Sequence, residues 1–350
     1  MTTPTELPPT MRAAQWRSIA GGIEKNLTLN ADAEAKLPKN AHSLPKDHTL
    51  VKVAYASLNH LDYKPAEMPL GSTFIKKPAT PGLDFSGTVV ATSLSDLKPG
   101  QRVFGRTEPP VGGTLAEYVE VRKAGVAPVP DGVSLRDAAC VGICGTAPLQ
   151  SFAPYLEPGN KVLINGGSGG VGVFAIQIAK ALGCSQVTAV CSGANADLCR
   201  NLGADEVIDY KAEDIVTALK RTGHQYDHIL DTIFAKPELY WQCHHYLKPQ
   251  GTYVAVGLPP QFKTFKTLFA IHVLPKWLGG GQRKFVFHSV SANTKDFGQV
   301  AQWIEEGKVK PVIEEEYSLE DAAKAYAKLK SGTAKGKLVI RVCGEPTSSE

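Results

Sequence analysis

The sequence predicts an α/β protein of two domains, a small β-rich one followed by a doubly wound parallel sheet. Three observations carry this. The chain has 350 residues, more than twice the ~150 residues of an average domain. Its first third breaks into short apolar runs bounded by Pro, Gly and Asp, whereas from about Gly159 strands alternate with helical periods. A glycine-rich turn at 166–172 lies between an apolar strand and an apolar helix.

Taken in order, strands are expected at 12–17, 49–57, 86–91, 102–105 and 116–121, separated by Pro- and Gly-rich loops such as 77–82. The second part reads strand 161–165, helix 170–182, strand 186–191, helix 194–202, strand 206–209 and helix 212–220. Strands at 226–231, 252–256 and 284–288 follow. A helix over 296–306 places Phe297, Val300, Ala301 and Ile304 on one face. The last block is a strand at 311–315, a helix opened by Ser318 with Asp321 as a capping box, and a strand at 338–342. The residue pattern leaves open whether this block finishes the parallel sheet or returns to the first domain.

Composition narrows the function classes. Hydrophobic residues at 43% and charged ones at 21% exclude long disorder. The net charge is +4 with the two signs interspersed, too weak a field for a nucleic-acid partner. The longest uncharged run, 162–179, is broken by Asn165, Ser168 and five glycines, so no membrane span is expected. Seven scattered cysteines without a CxxC pair read as reduced thiols. Of these Cys140 and Cys144 are the one pair suggestive of metal ligation, although small buried hydrophobes fit better. Residues 1–10 read as a flexible leader with neither a signal nor a clear transit sequence, which places the protein in the cytoplasm, with the mitochondrion as alternative.

Gly167, Gly169 and Gly172 form GxGxxG after a strand and at the start of a helix, with Ser168, Gly170 and Val171 between them. Bare backbone can turn tightly there and approach a pyrophosphate, whose charge rests on the amides of the helix N-terminus. An NAD site usually adds a carboxylate about 20 residues on. Here the second strand ends at Cys191 and Ser192, with no carboxylate before Asp197. That leaves room for a 2′-phosphate, for which Ser192, Asn195 and Arg200 supply donors and Tyr210 closes the next strand on the same rim. The expected cofactor is NADPH.

Segments 57–64, 81–87, 99–105, 203–210 and 336–340, together with the glycine loop, resemble the medium-chain dehydrogenase/reductase superfamily. Within it the chain is most similar to the quinone oxidoreductase branch, especially its reticulon-interacting mitochondrial and chloroplast-envelope relatives, with fungal trans-acting enoyl reductases more distant. The resemblance implies a GroES-like catalytic domain at 11–135 and 311–350, a Rossmann NADP(H)-binding domain at 136–310, and an active site in the cleft between them. It also implies a homodimer, with a monomer as alternative. Zinc-dependent members place His-Glu where this chain has Leu83 and Asp84, and no Cys precedes Cys140, so no metal is expected. Without a Lewis acid, reduction of an activated C=C bond or a quinone is favoured, because the developing charge spreads and hydrogen-bond donors suffice.

The same resemblance points to residues. Asn59, Tyr63 and Lys64 lie on a loop that faces the nicotinamide in relatives. Lys64, Tyr63 or water would supply the proton, and alternation along an extended segment lets only one of the two side chains reach the substrate. Relatives carry a Lys at the position of Lys64, which is preferred; Asn59 would fix the loop or the substrate. Thr146, Gly257 and Leu258 match positions near the nicotinamide and ribose, and Phe287 and Lys337 are further carry-overs to the cofactor. Asn195 departs from the Lys of many quinone oxidoreductases. The substrate is then a small enone, quinone or enoyl compound. The alternatives are a trans-acting enoyl reductase of a polyketide pathway and a non-catalytic NADPH-binding sensor or RNA-binding protein.

Overall fold

The computed structural model describes residues 7–30, 35–108, 113–257, 262–278 and 280–345. The principal strands are β1 (His48–Ser57), β2 (Asp84–Thr92), β3 (Arg102–Arg106), β4 (Tyr118–Arg122), β5 (Val126–Pro128), β6 (Lys161–Asn165), β7 (Gln186–Cys191), β8 (Glu206–Asp209), β9 (Tyr226–Asp231), β10 (Leu247–Ala255), β11 (Lys284–Phe287), β12 (Ile313–Ser318) and β13 (Lys337–Arg341). The expected strand at 12–17 is instead split between two short pairings, Thr10–Met11 with Ala35–Lys36 and Ala14–Gln15 with Thr28–Leu29.

The chain forms two compact units: Met1–Cys144 with Ser291–Glu306 and Pro311–Glu350, and Gly145–Val290 with Gly307–Lys310. In the first, seven strands run β12-β13-β1-β2-β3-β5, with β4 on the free stretch of β1. β1 organises this sheet because it is long and, apart from His48 and Lys52, buried throughout. It pairs antiparallel with β4 over residues 48–52, with β2 along its length and with β13 over residues 55–57. Register shifts at Leu50/Val51 and Val53/Tyr55 bend it. Val53, Phe85, Leu115, Tyr326, Leu338 and Ile340 fill the core beneath. The last block therefore returns to the first unit. Its helix is Ala322–Lys330, later than expected, because the Ser318 hydroxyl and the Asp321 carboxylate hydrogen-bond in the turn before it.

The second unit is a six-stranded parallel sheet ordered β8-β7-β6-β9-β10-β11, the doubly wound arrangement with its switch point between β6 and β9. β6 to β9 lie where the sequence places them. β10 begins five residues earlier than the apolar run at 252, since Leu247 pairs with Tyr226 ahead of a register shift. The exposed Pro249 and Gln250 hide that from a pattern search.

The unit boundaries differ from 135/136 and 310/311. Residues 135–144 stay with the first unit, held where Ser86 Oγ donates to Leu135 O (2.6 Å) and Ile143 N donates to Asp84 Oδ2 (3.1 Å). Helix Thr294–Glu305 also lies there: Phe297 meets Phe104 of β3 edge to face at 6.1 Å, and Thr294 Oγ1 donates to Lys123 O (2.9 Å). Its buried face is Phe297, Val300, Ala301 and Trp303, with Ile304 only partly covered. Lys310 goes with the second unit because Gln177 bonds both its N (2.7 Å) and its O (3.0 Å). No helix among the described residues is long and apolar enough to cross a membrane.

Phe297 is fully buried, so Phe297→Ala is expected to cost about 3–5 kcal/mol of stability. A denaturant titration followed by Trp fluorescence measures this; a loss under about 1 kcal/mol, the range of exposed-site changes, would show that the helix is not anchored there.

Candidate active site

The carboxyl ends of the parallel strands form one rim. Asn165, Cys191, Asp209, Asp231, Ala255 and Phe287 come level there through the register of β6 to β11. Gly166 (φ +91°) turns the chain out of β6. A Cβ on Gly172 would overlap the carbonyls of Gly166 and Gly167, which is why the motif ends in glycine. Gly169 is different: a Cβ there would meet only Gly166 O, at 3.5 Å. It caps the twelve-residue helix Gly170–Ala181 without a side-chain bond, so the amides of Gly170, Val171 and Gly172 open the helix uncovered by any cap. The cradle fits a pyrophosphate.

Around it, Asn195 Nδ2 donates to Ser168 Oγ (3.1 Å), and Asn195 Oδ1 is buried without a partner among the described residues. Ser192 follows β7 and the exposed Tyr210 follows β8 on the same rim. Arg200 Nη1 donates to Asp197 at 2.8 Å in an exposed pair, weak enough to exchange for another anion. Gly257 and the half-exposed Phe287 stand at the ends of β10 and β11. Thr146 is fully buried at the first position of helix Thr146–Phe152. Leu258 lies outside the described residues. Sequence reasoning missed Asp209, whose carboxylate lies where a Cβ on Gly193 would be. The pairing Cys191↔Asp209 sets it beside the end of β7, and the Asp-Tyr ending of the third strand was the available signal.

The first unit assembles a second cluster at the end of β1. Asn59 is buried and every polar atom of it is engaged. Its N donates to Asp62 Oδ2 (2.8 Å), and its Nδ2 to Ser57 O (3.2 Å) and Asp84 Oδ2 (2.9 Å). Its Oδ1 accepts from Lys337 Nζ (2.7 Å) and Cys144 Sγ (3.2 Å). These bonds tie Asn59 to Asp62, Asp84, Lys337 and Cys144. Tyr63 is packed against Tyr326, with its hydroxyl 2.7 Å from His60 Nδ1. Burial pushes that phenol up to about 12. Lys64 opens helix Lys64–Glu67 half-buried; its ammonium has no partner among the described residues, and burial lowers it below the usual lysine range.

Lys337 corrects the sequence reading. It was carried over to the cofactor, yet its ammonium is buried within the first unit. Its three donors go to Leu58 O (2.9 Å), Asn59 Oδ1 and Cys144 Sγ (3.3 Å). None remains for a phosphate. Cys144 is thus part of this network, and Cys140 Sγ faces Arg136 O. Among the described residues no group of three or more His, Cys, Asp or Glu could hold a metal ion.

Residues 45–131 match the family described as alcohol dehydrogenase GroES-like domain, and residues 202–340 that described as zinc-binding dehydrogenase. The trans-enoyl reductase pgmF of Aspergillus terreus is 42% identical over 96% of this chain and 97% of its own. The chain belongs to the medium-chain dehydrogenase/reductase superfamily. It lies in the superfamily's enoyl and quinone reductase branch and is an oxidoreductase of the kind that takes a nicotinamide cofactor. The NAD(P)H oxidoreductase RTN4IP1 of Bos taurus is 31% identical over 85% of this chain and 82% of its own. The solved quinone oxidoreductase of Coxiella burnetii covers 95% of this chain and 99% of its own, at 27% identity and a TM-score of 0.80. The fungal enoyl reductase is therefore more similar than the mitochondrial relative, the reverse of the sequence expectation. Where zinc-dependent members of the superfamily place ligands, Leu83 is buried and Asp84 is bonded to Asn59 and Ile143.

Two outcomes are expected. Gly169→Ala should leave the melting temperature unchanged but weaken NADPH binding by about tenfold or more, since the backbone must approach the pyrophosphate. Gly172→Ala should lower the melting temperature itself. Calorimetry with and without cofactor separates the two, and unaltered NADPH affinity in Gly169→Ala would remove the cradle as its site. Asp62 has one carboxylate oxygen, Oδ1, buried without a partner among the described residues. Burial raises its pKa to about 7, the nearby Asp84 adding to this against the Asn59 amide, Lys337 and Tyr326. A carboxyl raised on folding binds more protons when native, so it removes stability as pH rises towards 7. The melting temperature of Asp62→Asn minus that of the parent should then grow between pH 4 and pH 7 and level off above; a flat difference would refute it.

Proposed function

We propose that this chain is an NADPH-dependent reductase of activated C=C bonds, in enones and alkenals, or of quinones, and that the step uses no metal. The observation that carries the reading is Lys64: a half-buried ammonium left without a partner among the described residues, at the end of a loop in which Asn59 is bonded to Asp62, Asp84 and Lys337. The cofactor would be held by Gly167, Gly169 and Gly170 with the amides of Val171 and Gly172 at its pyrophosphate, and by Ser192, Asn195, Arg200 and Tyr210 at its 2′-phosphate. When bound, NADPH would supply the hydride for the β-carbon.

The chain's own part is the proton. Reduction at the β-carbon leaves an enolate whose charge is shared between oxygen and the α-carbon, so one positioned donor suffices. Lys64 donates first a hydrogen bond to the enolate oxygen and then the proton that completes the α-carbon. Burial lowers its pKa, which brings an amine nearer to the range where a general acid works at neutral pH. Tyr63 and Asn59 act through the loop. A homodimer in the cytoplasm is the proposed state.

A second reading has its own support. The relative named trans-enoyl reductase is 42% identical over nearly the whole chain. On that reading the enoyl group arrives on a carrier-bound polyketide chain.

A panel of free enones, alkenals and quinones, run beside enoyl thioesters of an acyl carrier, tests both. NADPH oxidation with free substrates supports the first reading, oxidation with carrier-bound ones alone supports the second, and none with either refutes both. Lys64→Ala should lower kcat by roughly 10²–10⁴-fold, as for loss of a general acid, with NADPH affinity intact. Parallel loss of affinity would instead make Lys64 a cofactor contact.

A further inference from the structure

Lys337 is 1% exposed and Asp84 is fully buried, yet neither touches the groups assigned above to proton or cofactor directly. The ammonium lies 3.9 Å from Asp84 Oδ2, and all three of its donors end on the chain around Asn59. β13 holds the same place by its backbone, since Leu58 N donates to Leu338 O (3.0 Å). Leu58 is therefore gripped at its N by Leu338 and at its O by Lys337, and Asn59 at its Oδ1. Beyond it the turn His60–Asp62 is closed by Asp62 on Asn59 N, and Lys64 follows at once.

A buried ion pair is weak evidence for stability, because apolar residues of similar volume commonly hold a fold as well. What a lysine adds is three donors in fixed directions, aimed at a carbonyl, an amide oxygen and a thiol that no hydrocarbon could orient. We propose that Lys337 is a positioning residue of the active site: its buried ammonium, countered by Asp84, clamps Leu58 and Asn59 and so fixes the loop that presents Lys64. This rests on the reading of that loop as the one that meets the substrate. Lys337 itself contacts neither substrate nor cofactor.

The test is the double variant Lys337→Met/Asp84→Asn, which removes both charges together and leaves no uncompensated ion in the core. It is expected to fold, to bind NADPH within about twofold of the parent, and to lose about tenfold or more in kcat on the best substrate of the panel, as displacement of a catalytic group predicts. Lys337→Arg keeps the charge but cannot place the same three bonds, and should show the same split should the double variant fold poorly. Unchanged kcat in the folded variant overturns the proposal. A tenfold weaker NADPH complex overturns it too, with or without loss of kcat, and returns Lys337 to the cofactor. Lys64→Ala in the same assay keeps the two ideas apart. A silent Lys64→Ala beside an impaired double variant would end the proton-donor reading and leave the clamp; an impaired Lys64→Ala beside an active double variant would end the clamp alone.

Discussion

An ammonium taken out of water must find acceptors for all its protons and a charge of opposite sign, or the fold will not tolerate it. At Lys337 the acceptors come from three stretches far apart in sequence: Leu58 and Asn59 at the end of β1, Cys144 at the end of the first segment, and Asp84 at the start of β2. None of these groups could be left alone in the core. Because Ile143 N and Asn59 Nδ2 both also bond Asp84, the network fixes where β1 stops, how its loop turns and where residues 140–144 run. The sheet supplies the frame for this, since Val339 pairs with Ser57 two residues along β13 from Lys337.

The nucleotide unit solves a different problem. A parallel sheet brings strand ends level on one rim, and two carboxylates stand there, Asp209 and Asp231. Either could repel a phosphate. Asp231 is taken up internally: Oδ1 accepts from Asn165 Nδ2 and from the amides of Ile233 and Phe234, and Oδ2 accepts from Tyr253. Its charge is thus dispersed into the turn after β9 and it helps hold Asn165, from which the glycine loop departs. Asp209 bonds the Lys211 amide with Oδ1 (2.9 Å), and the other side of its carboxylate lies against bare backbone at Gly193. The rim thus carries a carboxylate beside Ser192, Asn195 and Tyr210.

Legibility followed the strength of the local signal. Apolar runs of five or six residues between turn residues located β6, β7 and β9, and the glycine spacing located the cradle, because in both cases one local constraint decides the structure. The amphipathic pattern of 296–306 revealed a helix with a buried face, but period alone cannot say against which sheet that face lies, and Trp303 took the place given to Ile304. Asn59 and Tyr63 could be placed on the right loop without knowing which way their polar atoms point. Lys337 was the hardest. A lysine at the head of an apolar strand, in a segment shared with relatives, is compatible with a phosphate contact and with a buried clamp alike. What distinguishes them is a buried acid at the start of another strand, Asp84, and only the fold brings those two residues to 3.9 Å.

Topology adds one consequence. The sequence that carries Lys64 lies before residue 145, but the groups that hold its loop, Lys337 and the carbonyl of Leu338, come after the whole nucleotide unit has been made. Until β13 arrives, Leu58 and Asn59 lack three of their partners and β1 lacks its neighbour over residues 55–57. Loop closure across so many residues costs little more than across half as many, since the entropy grows only with the logarithm of length. The penalty is kinetic, because contacts distant in sequence form late. β1 closes on β2 across 27 to 43 residues and on β4 across 66 to 74, whereas Lys337 reaches Leu58 and Asn59 across 279 and 278. The geometry of the loop that carries Lys64 is for that reason set by both parts of the first unit, not by the segment before residue 145 alone.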